Sequence, residues 1–142
     1  MCPRIIIALN VIGCAHVELG NYSQAITTLT AAISLSRSIG YRILEPVAWH
    51  TLADAYLHLH RYRRAISCYQ HAFQLYRDID DRFGMVRLSD RLGDVHLATG
   101  NRDAARAAWR QVLDLVGAID QSHTDAVVAK LRRLDHVGPP SA

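Results

Sequence analysis

The chain has 142 residues, half of them hydrophobic and 20% charged, a balance that supports a packed core and excludes a disordered or collagenous polypeptide. Sixteen Lys and Arg against thirteen Asp and Glu leave a formal charge of +3, too small and too dispersed to mark a nucleic-acid surface. No stretch approaches the roughly 18 apolar residues of a membrane span, and no cleavage pattern of a secretory signal follows the early run Ile5-Ile6-Ile7-Ala8-Leu9.

Three cysteines, Cys2, Cys14 and Cys68, without a C-x-x-C pair suggest neither a disulfide framework nor a thiolate metal site. The expected protein is soluble and cytoplasmic, with no cofactor and no metal.

After a short leader at 1–5, the chain repeats itself. At an offset of 40, Leu9-x2-Ile12-Gly13-x2-His16 lands on Trp49-x2-Leu52-Ala53-x2-Tyr56. Gly20-Asn21-Tyr22 falls on His60-Arg61-Tyr62 and on Gly100-Asn101-Arg102. Ala25 then meets Ala65 and Ala105, Leu29 meets Tyr69 and Trp109, Leu35 meets Leu75 and Leu115, and Ile39, Ile79 and Ile119 close the units. Three gapless units follow, at 6–45, 46–85 and 86–125, then a final helix at 126–136 and a tail at 137–142.

Each unit has the pattern of a helical hairpin. In the second, Trp49, Leu52, Ala53, Tyr56 and Leu57 recur at three- and four-residue spacing, as do Tyr62, Ala65, Ile66, Tyr69, Ala72, Phe73 and Tyr76. Gly-Asn between the helices of the first and third units reads as a left-handed stop followed by an N-cap. Small residues at Ala25, Ala65 and Ala105, and at Ala32 and Ala72, allow close approach of helix backbones. A lone hairpin cannot bury both faces, whereas stacked hairpins can. The predicted fold is all-α: a right-handed α-solenoid of three hairpins plus a C-terminal capping helix.

The spacing Trp49-x2-Leu52-Ala53-x2-Tyr56…Ala65-x3-Tyr69 resembles the tetratricopeptide repeat signature, with Ala53 in place of the usual Gly. The period exceeds the usual 34 residues, and the additional six fall after the second helix. The third unit, from Leu92-Gly93-Asp94 through Gly100-Asn101-Arg102 to Trp109, resembles the C-terminal repeats of actinobacterial AfsR/SARP-type transcriptional regulators. Together with Val112-Leu113-Asp114-Leu115 and the Lys130-Leu131-Arg132 helix, this likeness covers about 92–134. The resemblance implies a protein- or peptide-binding module, either part of such a regulator or a free-standing adaptor. A small-molecule sensor is the remaining alternative. The sequence holds no G-x-x-x-x-G-K-[ST], so the phosphate-binding loop of the regulators' NTPase domain is not among these residues.

The expected binding surface is the exposed face of the first helices. By offset it carries Asn10, His50 and Asp90, then Cys14, Asp54 and Asp94, with Arg87 and Arg91 nearby. In tetratricopeptide domains that clamp a C-terminal carboxylate, the matching positions are Asn10 and Cys14, then Thr51, then Arg87 and Arg91. Only the last pair keeps positive charge, and Asp90 and Asp94 would partly neutralise it. Two readings stand: a peptide groove of mixed sign, or a set of surface Arg–Asp pairs.

His50-x3-Asp54-x3-His58 aligns three potential zinc ligands on one helix face, though a single helix seldom closes a metal site; a polar stripe on that face is the preferred reading. His16 and His96 sit at the packing offset of Tyr56 and are expected in the core or at its edge. Arg61-Tyr62-Arg63-Arg64 is the densest basic cluster and is expected as a solvated turn, with Tyr62 and Tyr69 at packing positions. No G-x-S-x-G or H-E-x-x-H occurs, so no enzyme is predicted. Cys14 and Cys68 read as small apolar helix residues. Ile5, Ile6, Ile7 and Leu9 open the array without a polar capping helix, and self-association or an exchanged first helix is expected.

Overall fold

The computed structural model describes residues 3–116 and 121–137. Among these residues there are seven helices and no strand, the all-α class that the periodicity predicts. The chain divides into two compact units, one up to Ile79 and one from Asp80. The first unit holds α1 (Arg4–Glu18), α2 (Tyr22–Ile39), α3 (Glu45–His58) and α4 (Tyr62–Asp78). In it α1 packs on α2, α2 on α3, and α3 on α4. The second holds α5 (Arg82–Ala98), α6 (Arg102–Val116) and α7 (Gln121–Val137), with α6 packed against both.

The helices begin earlier than the 40-residue units. Helix α3 opens at Glu45, α5 at Arg82 and α7 at Gln121, rather than at 46, 86 and 126, and α7 continues to Val137. The alignment rests on packing positions inside helices, which set the period but not the ends. Local caps set those: Asp81 Oδ1 accepts the Gly84 amide at 3.0 Å and starts α5. The additional length of the repeat goes partly into α2, which has 18 residues against 15 in α1, and partly into the connection at 40–44. Ile119, the first two leader residues and the tail beyond Val137 lie outside the described residues.

The left-handed stop that the Gly-Asn pattern predicts for two hairpins stands in the turn of all three. Gly20 and Gly100 take φ of +80° and +82°, and the second hairpin places His60 at +58° in the same role. Asn101 Oδ1 caps α6 by accepting the Ala104 amide at 3.1 Å. Asn21 departs from expectation and makes no side-chain cap hydrogen bond to α2.

The small positions are where backbones meet. Ala25, Ala32, Ala65, Ala72 and Ala105 are fully buried. Beside them lie Leu29, Tyr69 and Trp109, the three equivalents of one repeat position, all buried. Each stabilises its unit by roughly 1.5–3 kcal/mol through removal from water. A Cβ on Gly13 would come within 2.6 Å of Leu29 Cγ, and one on Gly93 would overlap the Trp109 indole. The second unit's core continues from Trp109 through Val112 and Val116 to Val127 and Leu134 of α7.

Candidate functional site

The residues predicted to line an exposed face divide between the two units. In the first, Asn10, His50 and Thr51 are buried rather than exposed, which corrects the expectation of an open polar surface there. The offset that grouped them gives a side of a helix, but not what its neighbours cover.

Asn10 Nδ2 donates to the Ile6 carbonyl at 3.0 Å, while its buried Oδ1 has no hydrogen-bond partner among the described residues. Thr51 donates its single hydroxyl proton to the Val47 carbonyl at 2.9 Å. The 3.6 Å contact with Cys14 Sγ therefore has the thiol as donor. This contact ties α1 to α3.

Around Asp54 a second polar group forms. Tyr69, from α4, donates its hydroxyl to Asp54 Oδ1. His50 stands edge-on to the Tyr69 ring, with centroids 5.9 Å apart, and its Nε2 is 3.9 Å from Asp54 Oδ2. His58 turns elsewhere: its Nδ1 meets the Asp54 backbone carbonyl at 2.8 Å, and its ring stacks on Tyr22 at 4.8 Å. His50, Asp54 and His58 thus share a helix side without converging. Among the described residues no group of three His, Cys, Asp or Glu side chains is placed to hold a metal ion.

In the second unit, Arg87, Arg91 and Asp94 are exposed and Asp90 is half-buried. Asp90 and Asp94 share a cation from the last helix. Lys130 of α7 donates to Asp90 Oδ1 at 2.8 Å and to Asp94 Oδ1 at 3.0 Å, and lies 5.7 Å from the centre of the Trp109 ring. Partial burial alone would lower its pKa, but the bonds to Asp90 and Asp94 and their charges outweigh that and raise it. Arg87 instead stands over the exposed Phe83 ring at 5.8 Å. Sequence reasoning passed over Lys130, although the offset of 40 places it on the position of Asp90.

Beside this cluster is a pocket of ≈390 Å³ with Leu97, Trp109 and Leu134 as its apolar part. Lys130 is held there by Asp90 and Asp94, so the positive charge of the lining comes from Arg102 and Arg133. Its volume falls within the usual range of ligand pockets. Chemically it can take an apolar side chain while its rim meets an anion.

A third arrangement, absent from the sequence reading, is centred on Glu45. Its carboxylate is only 1% exposed. It accepts from Arg37 Nε and Nη2 at 3.0 and 2.9 Å, Arg42 Nε at 2.7 Å and Trp49 Nε1 at 3.2 Å. Burial would raise its pKa, yet hydrogen bonds from Arg42, Trp49 and Arg37 and the Arg37 charge lower it from the usual 4.5 to about 2. The available signal was an acid directly before Pro46 at a helix start.

The predicted edge positions are close to expectation. His16 and His96 are half-buried, and burial pushes the His96 pKa down. Arg61, Arg63 and Arg64 are exposed, but only Arg61 stands in the turn, since α4 begins at Tyr62 and holds the other two; Tyr69 is buried. Of the first residues, Ile6 is buried and Leu9 half-buried, but Ile5, Ile7, Val11 and Ile12 are exposed by 50, 44, 63 and 47%. Among the described residues no helix is long and apolar enough to cross a membrane.

No curated protein is significantly similar in sequence. Among solved structures, the first TPR of Spaghetti (RPAP3) bound to the HSP90 peptide SRMEEVD is similar at 20% identity and TM-score 0.74, over 96% of this chain and 95% of that one. PcrH from Pseudomonas aeruginosa is similar at 16% identity and TM-score 0.76, over 95% of each chain. BtubC (BKLC) from P. vanneervenii reaches TM-score 0.76 at 13% identity, over 96% of this chain and 68% of that one. These identities establish a shared fold. Two models described as tetratricopeptide repeat match residues 6–39 and 44–117. The second match alone spans over half of the chain, and so the protein belongs to the tetratricopeptide repeat family.

Proposed function

We propose that the chain is a protein- and peptide-binding repeat module that serves a bacterial transcriptional regulator of the AfsR/SARP type as its regulatory or interaction part. Its binding face in the second unit comprises Arg87, Asp90, Arg91 and Asp94. In the first unit, taken by itself, the proposed binding residues are Cys14, Asp54 and His58 together with the buried Asn10, His50 and Thr51. One observation carries the binding proposal: an apolar pocket at Leu97, Trp109 and Leu134 opens beside the guanidiniums of Arg102 and Arg133. A peptide side chain can enter such a pocket while an adjacent acid meets the rim. The related fold of PcrH, solved in complex with the chaperone binding region of PopB, supports the same reading by analogy.

The regulator context rests on the resemblance of residues 92–134, and the cytoplasmic location follows from that context. The test is affinity capture with the intact chain and with a Leu97→Asp/Arg133→Glu variant, each checked for native helicity. The reading predicts a specific protein bound by the first and lost from the second. An identical captured set from both baits, or none, would overturn it. DNA-binding and NTPase domains encoded ahead of this segment would separate a regulator module from a free adaptor.

The exposed α1 face supports self-association as part of the same proposal, since Ile5, Val11 and Ile12 gain from leaving water. Sedimentation should show association that an Ile12→Glu substitution reverses; a monomer at all concentrations counts against it.

A further inference from the structure

A second recess lies on the side of α3 away from the residues just assigned. At 100° per residue, Trp49, Leu52 and Tyr56 fall on a different side of α3 from His50, Asp54 and His58. With α2 and α4 they line a groove of ≈510 Å³ contained within the first unit. Among the described residues no Asp or Glu lines it, whereas Arg37 stands at one part and Arg64 at another.

The charges there are unbalanced. Glu45 is shared by two guanidiniums, Arg37 and Arg42, so that cluster keeps one net positive charge. Arg64 forms no carboxylate pair among the described residues and rests over the Tyr56 ring at 5.7 Å. Arg37 rests likewise over Trp49 at 5.8 Å. Between the two Arg–aromatic pairs, the buried Ile33 and Leu52 offer an apolar floor, and Ser34 and Ser67 offer hydroxyls.

We propose that this groove between α2, α3 and α4 is a second docking site, taking an extended acidic peptide in which an apolar side chain sits beside an Asp or Glu. The apolar side chain occupies the floor at Ile33 and Leu52 while the carboxylate reaches Arg64, a bidentate acceptor for its guanidinium. The serine hydroxyls are placed to bond the peptide's main chain. An acidic partner fits better than a nucleic acid, because a polyphosphate backbone calls for a continuous run of cations and this groove has two unbalanced charges.

The experiment uses fluorescence anisotropy of the fluorescein-labelled heptapeptide Ser-Gly-Glu-Leu-Glu-Gly-Ser with the full chain. Saturable binding is expected, with about tenfold weaker binding by the counterpart carrying Gln for both Glu. Arg64→Glu should weaken binding at least about tenfold, and Ser67→Trp should do so by filling the groove without altering charge. Arg110→Glu makes the same change in net charge at an exposed site on α6 and should leave affinity within about twofold.

No saturable binding, equal loss from Arg64→Glu and Arg110→Glu, or retention by Ser67→Trp would overturn the proposal. So would tighter binding of an oligouridylate than of the acidic peptide. If Arg64→Glu loses helicity, Arg64→Gln takes its place. Because the Leu97→Asp/Arg133→Glu variant leaves this groove intact, it should bind the heptapeptide normally even if the second-unit pocket proves to have no partner.

Discussion

Gly93 and Trp109 fit each other by omission: the indole nitrogen of Trp109 occupies the space that a Cβ on Gly93 would fill. Their counterparts in the first hairpin, Gly13 and Leu29, make the same close approach. Glycine inside a helix costs roughly 1 kcal/mol relative to alanine, so removing it would help were the space open. Here the neighbour is a buried, rigid ring. Gly93→Ala should therefore destabilise the protein by about 1–3 kcal/mol, overpacking outweighing the propensity gain. Pairing it with Trp109→Ala, which empties that space, should recover part of the loss relative to Trp109→Ala alone. Chemical denaturation of the four proteins measures this coupling directly, and additive effects would show that Gly93 and Trp109 do not constrain each other.

Glu45 makes the first unit acid-sensitive. Its carboxyl is held at about 2 against the usual 4.5, so the folded state binds this proton less readily than the unfolded state. The stabilisation is complete above the unfolded value and disappears as pH falls through the folded one. Thermal stability should decline between about pH 5 and 2, and Glu45→Gln should remove that part of the slope while lowering stability near neutrality. Since Arg37 and Arg42 are about half-exposed and can return to water, the cost should be about 1–3 kcal/mol rather than that of a stranded buried charge. An unchanged acid slope in Glu45→Gln would assign the transition to other carboxylates.

The sequence reveals what one helix can encode alone. The spacing of Leu29, Tyr69 and Trp109 and the small partners Gly13, Ala53 and Gly93 expose the hairpins, because packing recurs with the helical turn. Helix ends are less legible, since Asp81 caps α5 by a local bond that Asn21 fails to make for α2. Asn10, His50 and Thr51 illustrate the larger gap. Their offsets are regular, yet neighbouring side chains determine that they are buried. Glu45 escaped notice because its partners lie on both sides of a turn, with Arg37 in α2 and Arg42 in the connection. The Asp90–Lys130 pair was legible in principle, as its members are one 40-residue period apart.

Lys130 should control how α7 holds to α5. Lys130→Met keeps most of the side-chain stem near Trp109 but leaves Asp90 and Asp94, one turn apart, without their shared cation. The partly exposed pairs make the cost modest, about 0.5–1 kcal/mol and smaller in high salt. Asp90→Asn with Asp94→Asn should soften the effect of Lys130→Met by removing the repulsion. The ammonium pKa is raised above the usual 10.5, so its contribution is complete below that value and disappears as pH rises through the folded one. Hydrogen exchange in α7 is the measurement. Exchange in Lys130→Met that matches the native chain at low salt would mean that apolar contacts alone hold this helix.

His60 occupies a glycine's position in the second hairpin, with φ of +58° where Gly20 and Gly100 have +80° and +82°. A left-handed residue with a Cβ costs roughly 1–2 kcal/mol, while glycine gives back part of that through the greater entropy of its unfolded chain. His60 recovers something through its ring nitrogen, 2.9 Å from the Tyr62 hydroxyl, and through the edge-on contact of the two rings. That contact is exposed and contributes little. His60→Gly should therefore raise stability by about 0.5–1 kcal/mol, and His60→Ala should lower it, because alanine keeps the strain and loses the Tyr62 contact. The order Gly, His, Ala in urea midpoint is the expected result. Alanine equal to or above glycine would show that backbone strain at this turn is negligible and that the chain between α3 and α4 adapts to whatever residue stands there.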